Sequence, residues 1–141
     1  MDYHSKFIEV AHIPKPVDSP AIVRTMKKIF NRHGKPQIVF SDKGPQYTAV
    51  SFKRFASEWD FQHDYSSPHF PQSNGLIERS IQTVKRSMKK AREAKNDPFL
   101  SLLVLNTTTS DDGSSPAYKI YNRNPRTTLP AVTFQMSRPL A

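Results

Sequence analysis

The sequence predicts an α/β fold, on three observations. Short apolar runs alternate with stretches of helical period along the chain. The helical stretches carry their own start and stop residues. The turns between them are built from proline, of which there are 12, rather than glycine, of which there are 4.

Taken in order, residues 6–13 (KFIEVAHI) alternate apolar and polar with β-branched enrichment and read as a strand, ended by Pro14 and Pro16. Asp18 or Ser19 can cap the next helix, and Pro20 suits its first position. Ile22, Val23, Met26, Ile29 and Phe30 recur at helical spacing, and Gly34 closes that helix after His33. Residues 37–40 (QIVF) form a short, mostly apolar run whose length favours a buried strand of the parallel type. A loop over 41–47 follows, then a helix over 49–59 with Phe52, Phe55, Ala56 and Trp59 as one stripe. Residues 61–65 (FQHDY) read as a strand and 66–74 as a loop with two prolines.

A long helix is expected over 75–94, its apolar face given by Leu76, Ile77, Ile81, Val84 and Met88. Asp97 and Pro98 open another, with Phe99, Leu100, Leu102, Leu103 and Val104. Residues 107–115 are a polar loop, 116–121 a short helix, and the tail, with Pro130 and Pro139 and scattered arginines, lies extended. The organisation expected is one domain over 1–126 and an extended tail over 127–141.

Composition narrows the function. Hydrophobic residues at 36% and aromatics at 11% suffice for a core, which argues against wholesale disorder. The absence of cysteine excludes a disulfide scaffold, a thiolate zinc site and a cysteine nucleophile. No apolar run approaches the ~20 residues that span a bilayer, and no membrane is among the expected partners, although the charge alone would allow an acidic membrane surface as second choice after nucleic acid. No secretion leader is visible at the N-terminus. The charge of +9, from 21 Lys+Arg against 12 Asp+Glu, favours a polyanionic partner, nucleic acid first.

Two carboxylates carry the candidate chemistry. Asp42 stands just past the 37–40 strand, and ligands of α/β sheets gather at the carboxyl ends of strands. Glu78 stands in the first turn of the long helix as read here. Such a pair can share a hard divalent cation, Mg²⁺ or Mn²⁺, which keeps water and takes phosphate oxygens for its remaining positions. The plain alternative is that Asp42 caps a turn and Glu78 complements a helix N-terminus.

The stretches DYHSKFIEVAHI, HGKPQIVFSDKGPQY, FKRFASEWDFQHDYSSPHFPQSNGLIERSIQTVKR and SSPAYKIYNRNPRTTLP are collinear and cover nearly the whole chain. Together they resemble the catalytic core of retroviral and gypsy-type long-terminal-repeat retrotransposon integrases. PQSNGLIER, with its aspartate about 35 residues upstream, is the most specific part. The resemblance implies a ribonuclease-H-like mixed sheet with flanking helices. It also implies an active site of two aspartates and a glutamate holding two Mg²⁺, and polynucleotidyl transfer that joins DNA ends to a target. Asp42 then corresponds to the second aspartate and Glu78 to the glutamate. Both are expected as catalytic and metal-binding residues, with weak binding of Mg²⁺ or Mn²⁺.

The first aspartate has no counterpart. Asp2 resembles a family position that is not catalytic, and the expectation is a truncated core lacking the first strand and most of the second. Strand 6–13 and strand 37–40 can then pair directly in a three-strand sheet, leaving some apolar face of the helices exposed. Lys43 stands where the family usually has asparagine, and Leu105 departs from its pattern before Asn106 and Thr107.

The resemblance further implies a DNA-binding face of His69, Asn74, Arg79, Gln82, Lys85, Arg86 and Lys89. A solvated helix face is the ordinary alternative for such a charge run. The expected function is an integrase-core-like nucleic-acid-binding domain, catalytically incomplete. The alternatives are a non-catalytic DNA-binding module or a relic of a retrotransposon polyprotein. DNA, a second copy of the chain, or the remainder of a polyprotein are the partners this reading names. The sequence leaves the location open, and the resemblance implies the nucleus if the chain is functional.

Overall fold

The computed structural model describes residues 1–65 and 71–127, of which 71–74 by backbone alone. Its elements, in order, are α1 (Ser19–His33), β1 (Ile38–Ser41), α2 (Pro45–Thr48), α3 (Val50–Glu58), β2 (Gln62–Tyr65), α4 (Pro71–Glu93), α5 (Pro98–Thr107) and α6 (Pro116–Tyr121). The chain divides into two compact units, Glu9–Glu78 and the pairing of Met1–Ile8 with Arg79–Ala141. The helix α4 is shared between them. From residue 128 on, the expected tail over 127–141 lies outside the described residues.

In the Glu9–Glu78 unit, local signals place α1. The Asp18 carboxylate accepts the Ala21 amide at 3.0 Å and Pro20 sits in the first turn. Gly34 stops the helix at φ 89°, a left-handed geometry that glycine adopts at little cost. The β1 and β2 strands run parallel, with Val39 opposite His63 and Ser41 opposite Tyr65. Ile22 and Val23 of α1 meet Phe52 and Phe55 of α3 and Phe61 before β2 in one core. The stripe read from the sequence is thus the one that packs. Phe30 stacks on Phe55 with ring centroids 5.8 Å apart, and Phe61 stands edge-on to Phe55 at 5.0 Å.

Several expectations are corrected. Residues 6–13 form no strand, and the sheet of the described residues has two strands rather than three. Alternation sets which face a strand would bury but supplies no partner backbone. In the unit that holds Met1–Ile8, the Ile8 backbone instead meets a side chain. The buried Asn106 amide of α5 accepts from the Ile8 N–H and donates to its C=O, both at 2.9 Å. One carboxamide thus does what a neighbouring strand would do. Just upstream the backbone closes a tight turn, in which Lys6 N–H donates to the Asp2 C=O and Lys6 takes φ 65°.

β1 is parallel, as its length suggested, but not buried: Ile38 and Phe40 are exposed, Phe40 by 61%. The sequence run is apolar on both faces while only Val39 packs on the core. The apolar exposure expected for the helices falls on β1, Val50, Ile81 of α4, and Phe99 and Leu100 of α5, whereas α1 buries Ala21, Ile22 and Val23. Within the expected loop 41–47, Pro45 starts the one-turn helix α2. The α4 helix begins at Pro71, inside the expected loop 66–74, because proline is preorganised for a first helical position.

The Asn106 clamp gives a direct test. Asn106→Leu keeps the bulk and removes both bonds, so the Ile8 amide and carbonyl lose their partners. A destabilisation of about 2 kcal/mol is expected, read by urea unfolding. Loss of hydrogen-exchange protection at the Ile8 amide should accompany it. An unchanged midpoint would show that water replaces the clamp without cost.

Candidate functional site

Asp42 directly follows β1, at its carboxyl end. Its carboxylate is exposed and turns back to accept the Gly44 N–H at 2.8 Å. The turn-capping role considered for it is therefore real. A Cβ at Gly44 would stand 2.8 Å from Asp42 Oδ1 and 2.9 Å from Gln46 Oε1, so a side chain there would make those two side-chain ends move. Tyr47, edge-on to Phe52 at 5.3 Å, senses the same carboxylate. Burial first, and then the Asp42 charge, push its phenol above the ordinary value.

Glu78 is exposed on α4. With the helix starting at Pro71, it sits about two turns in, not in the first turn. The pull of a helix N-terminus on an anion fades within the first turn. Complementing the helix dipole therefore no longer accounts for a glutamate at this position.

Asp2 is taken up elsewhere. Its Oδ2 accepts both the Ser5 N–H at 2.8 Å and the Ser5 hydroxyl at 2.6 Å. Burial raises its carboxyl, but the Ser5 bonds, with His4 and the chain terminus, outweigh that and the net direction is down. Among the described residues no three of His, Cys, Asp and Glu come together as a metal cluster. Carboxylate oxygens such as those of Asp42 and Glu78 are the donor type that a partly hydrated Mg²⁺ or Mn²⁺ takes. They do not form a dedicated cage among the described residues.

Lys43 and Asp42, though adjacent, do not form an ion pair among the described residues. The Lys43 ammonium lies 5.9 Å from the centre of the Tyr65 ring at the end of β2, while the carboxylate faces Gly44. Between these strand ends His63 bonds Ser41 at 2.7 Å. His63 shows no metal-ligand spacing in the sequence. Its partner is a residue of another strand, which only the strand register reveals.

On the Arg79–Glu93 part of α4, Arg79, Gln82, Lys85, Arg86 and Lys89 are all exposed. At 100° per residue they occupy about 120° of arc, opposite a flank holding the buried Val84 and Ala91. Lys89 also reaches Glu93 at 4.0 Å, a weak surface pair. His69 lies outside the described residues, and the Asn74 side chain is likewise outside them.

Comparison with known proteins gives the relatives. The family described as integrase core domain matches residues 1–71. An uncharacterized protein of Caenorhabditis elegans is 30% identical over 135 residues, covering 92% of this chain and 11% of that protein. The Gag-Pro-Pol polyprotein of sheep pulmonary adenomatosis virus is 30% identical over 115 residues, covering 75% of this chain and 7% of the polyprotein. This chain thus spans a small part of the curated relatives it matches. Among solved structures, the catalytic core domain of BIV integrase superposes with a TM-score of 0.73 at 20% identity, covering 84% of this chain and 80% of that one. The HTLV-2 integrase catalytic core domain in complex with magnesium, in its dimeric form, gives 0.65 at 21% identity, covering 83% and 77%. At these identities the structures establish the fold, which is that of ribonuclease-H-like integrase cores, and the family match over half the chain establishes the lineage. The chain belongs to the integrase core domain family, and is a core domain related to those of retroviral integration.

Proposed function

We propose that this chain binds DNA through the exposed basic face of α4 and offers Asp42 and Glu78 to a single, weakly held divalent cation. On this reading the 141-residue polypeptide does not by itself complete polynucleotidyl transfer. The observation that carries the first part is the stripe of Arg79, Lys85, Arg86 and Lys89 on one side of a helix whose other side packs. Clustered cations neutralise phosphates without reading sequence.

Charge arithmetic supports the second part. A two-metal phosphoryl-transfer site places roughly four positive charges between carboxylates while leaving positions for water and phosphate. Asp42 and Glu78 bring two negative charges, and Asp2 is committed to Ser5. When bound, the cation would polarise a phosphate oxygen. The chain's own contribution is to present the carboxylates and hold the nucleic acid by its phosphates.

Exposed apolar side chains support a protein partner beside DNA. Phe99, 69% exposed, and Leu100 on α5, with Ile38 and Phe40 on β1, suit a second copy of the chain or the remainder of a polyprotein.

The test is strand transfer on an oligonucleotide with Mn²⁺, comparing wild type with Asp42→Asn, Glu78→Gln and Asp2→Asn. No product above background is expected from any of them. Product that disappears in all three variants would overturn the proposal and make Asp2 the third ligand.

Lys43 supplies a graded prediction. A unit charge close to a divalent ion in water-like surroundings contributes on the order of 1 kcal/mol. Lys43→Asn is therefore expected to tighten Mn²⁺ binding several-fold, followed by electron paramagnetic resonance of the free ion. Equal affinities would mean that the ammonium does not oppose the ion.

A further inference from the structure

At the carboxyl ends of β1 and β2 the Ser41 hydroxyl stands between two partners. Its Oγ is 2.7 Å from His63 Nε2 on the adjoining strand and 2.9 Å from the main-chain oxygen of Asp42. A hydroxyl has one proton to donate. The Asp42 oxygen is a carbonyl and can only accept, so the Ser41 proton goes there. Ser41 must then accept from His63, and Nε2 must carry the hydrogen. We propose that His63 is a positioning residue for Asp42: its Nε2–H sets the Ser41 hydroxyl, which holds the Asp42 main chain where β1 gives way to the carboxylate-bearing loop. This rests on the reading of Asp42 as a cation ligand.

The surroundings hold the ring for that task. Phe52, the most buried aromatic of the core, lies 4.6 Å from the imidazole centre, and Tyr65 stands edge-on at 4.8 Å. Burial lowers the tendency of His63 to protonate, and the neighbouring Asp64 charge offsets this only in part. The ring is therefore neutral near pH 7, and the choice between its two tautomers matters. With the hydrogen on Nδ1, Nε2 is a bare acceptor. Ser41 would have to turn its proton toward it, and the Asp42 carbonyl would lose its donor. The other groups nearby do not compete for Nε2. Asp64 is engaged by the Gln62 amide at 2.9 and 3.0 Å, and the Lys43 ammonium lies over the Tyr65 ring.

A simple tie between strands would need any hydrogen bond at this place. The positioning role needs a donor at Nε2 and a hydroxyl at residue 41. The full 141-residue chain, labelled with ¹⁵N, is observed by long-range ¹H–¹⁵N correlation of the imidazole, and Mn²⁺ affinity is measured on the same samples. The Nε2–H tautomer is expected. His63→Leu and Ser41→Ala should weaken Mn²⁺ binding about two- to tenfold, the scale of one neutral hydrogen bond. His63→Gln, which keeps an N–H, and Ser41→Thr, which keeps the hydroxyl, should stay close to wild type. An Nδ1–H pattern overturns the proposal without recourse to any variant. So do Leu and Ala variants that keep wild-type amide dispersion and wild-type affinity. A wild-type chain showing the Nε2–H tautomer but no Mn²⁺ binding overturns the cation reading of Asp42, and the positioning role with it.

Discussion

Replacing Arg79, Lys85, Arg86 and Lys89 together with alanine is expected to flatten the salt dependence of DNA binding by about 3.6 in log–log slope, at about 0.9 per duplex phosphate contact. The four side chains share one exposed sector of α4, so a single stretch of phosphate backbone can meet them all. For a fourfold rise in salt, the wild type should lose about a hundredfold more affinity than the variant. A matched control separates a face from net charge. Lys28, Lys35, Lys53 and Arg54 are equally exposed, and changing them to alanine removes the same four charges. If the control flattens the slope as much, α4 is not the contact face and the +9 charge acts diffusely.

The parts of this fold legible in the sequence are those decided locally. Asp18, Pro20 and Gly34 mark the ends of α1 through bonds that reach at most four residues. The Phe52, Phe55, Ala56 and Trp59 stripe marks the packed side of α3 for the same reason. What misled was either a partner distant in sequence or a conflict of local signals. The alternation in 6–13 looks like a strand, yet the groups that satisfy Ile8 come from Asn106, almost a hundred residues on. At the start of α4, Pro71 and Asn74 read as loop residues by propensity, while proline at a first position favours the helix. Weighing Pro71 that way would have placed Glu78 two turns inside and removed the dipole explanation for it. Asp42 was legible as a strand-end acid. The Ser41–His63 bond beside it was not, because it depends on which strands pair and in what register.

Phe52→Ala is expected to destabilise the Glu9–Glu78 unit by about 3–5 kcal/mol, the range for removing a buried aromatic ring. Phe52 has no exposed surface and contacts rings on four sides: Tyr47 at 5.3 Å, Phe55 at 5.7 Å, Phe61 at 6.3 Å and His63 at 4.6 Å. These neighbours come from α2, α3 and the β2 strand region, so the cavity cannot close by moving one side chain. Small domains hold only about 5–15 kcal/mol in all, and among the described residues the sheet has two strands, so the unit leans on the core of Ile22, Val23, Phe52, Phe55 and Phe61. Trp59 packs on Phe55 in the same cluster, so its fluorescence during urea unfolding reports the loss. Phe52→Leu, which refills most of the volume, should cost much less and keep a cooperative transition. A midpoint shift in Phe52→Ala no larger than in Phe52→Leu would mean the cluster is loosely packed. Because His63 leans on this ring, Phe52→Ala should also release the Ser41–Asp42 arrangement, so cation affinity should fall with stability even in the fraction that stays folded.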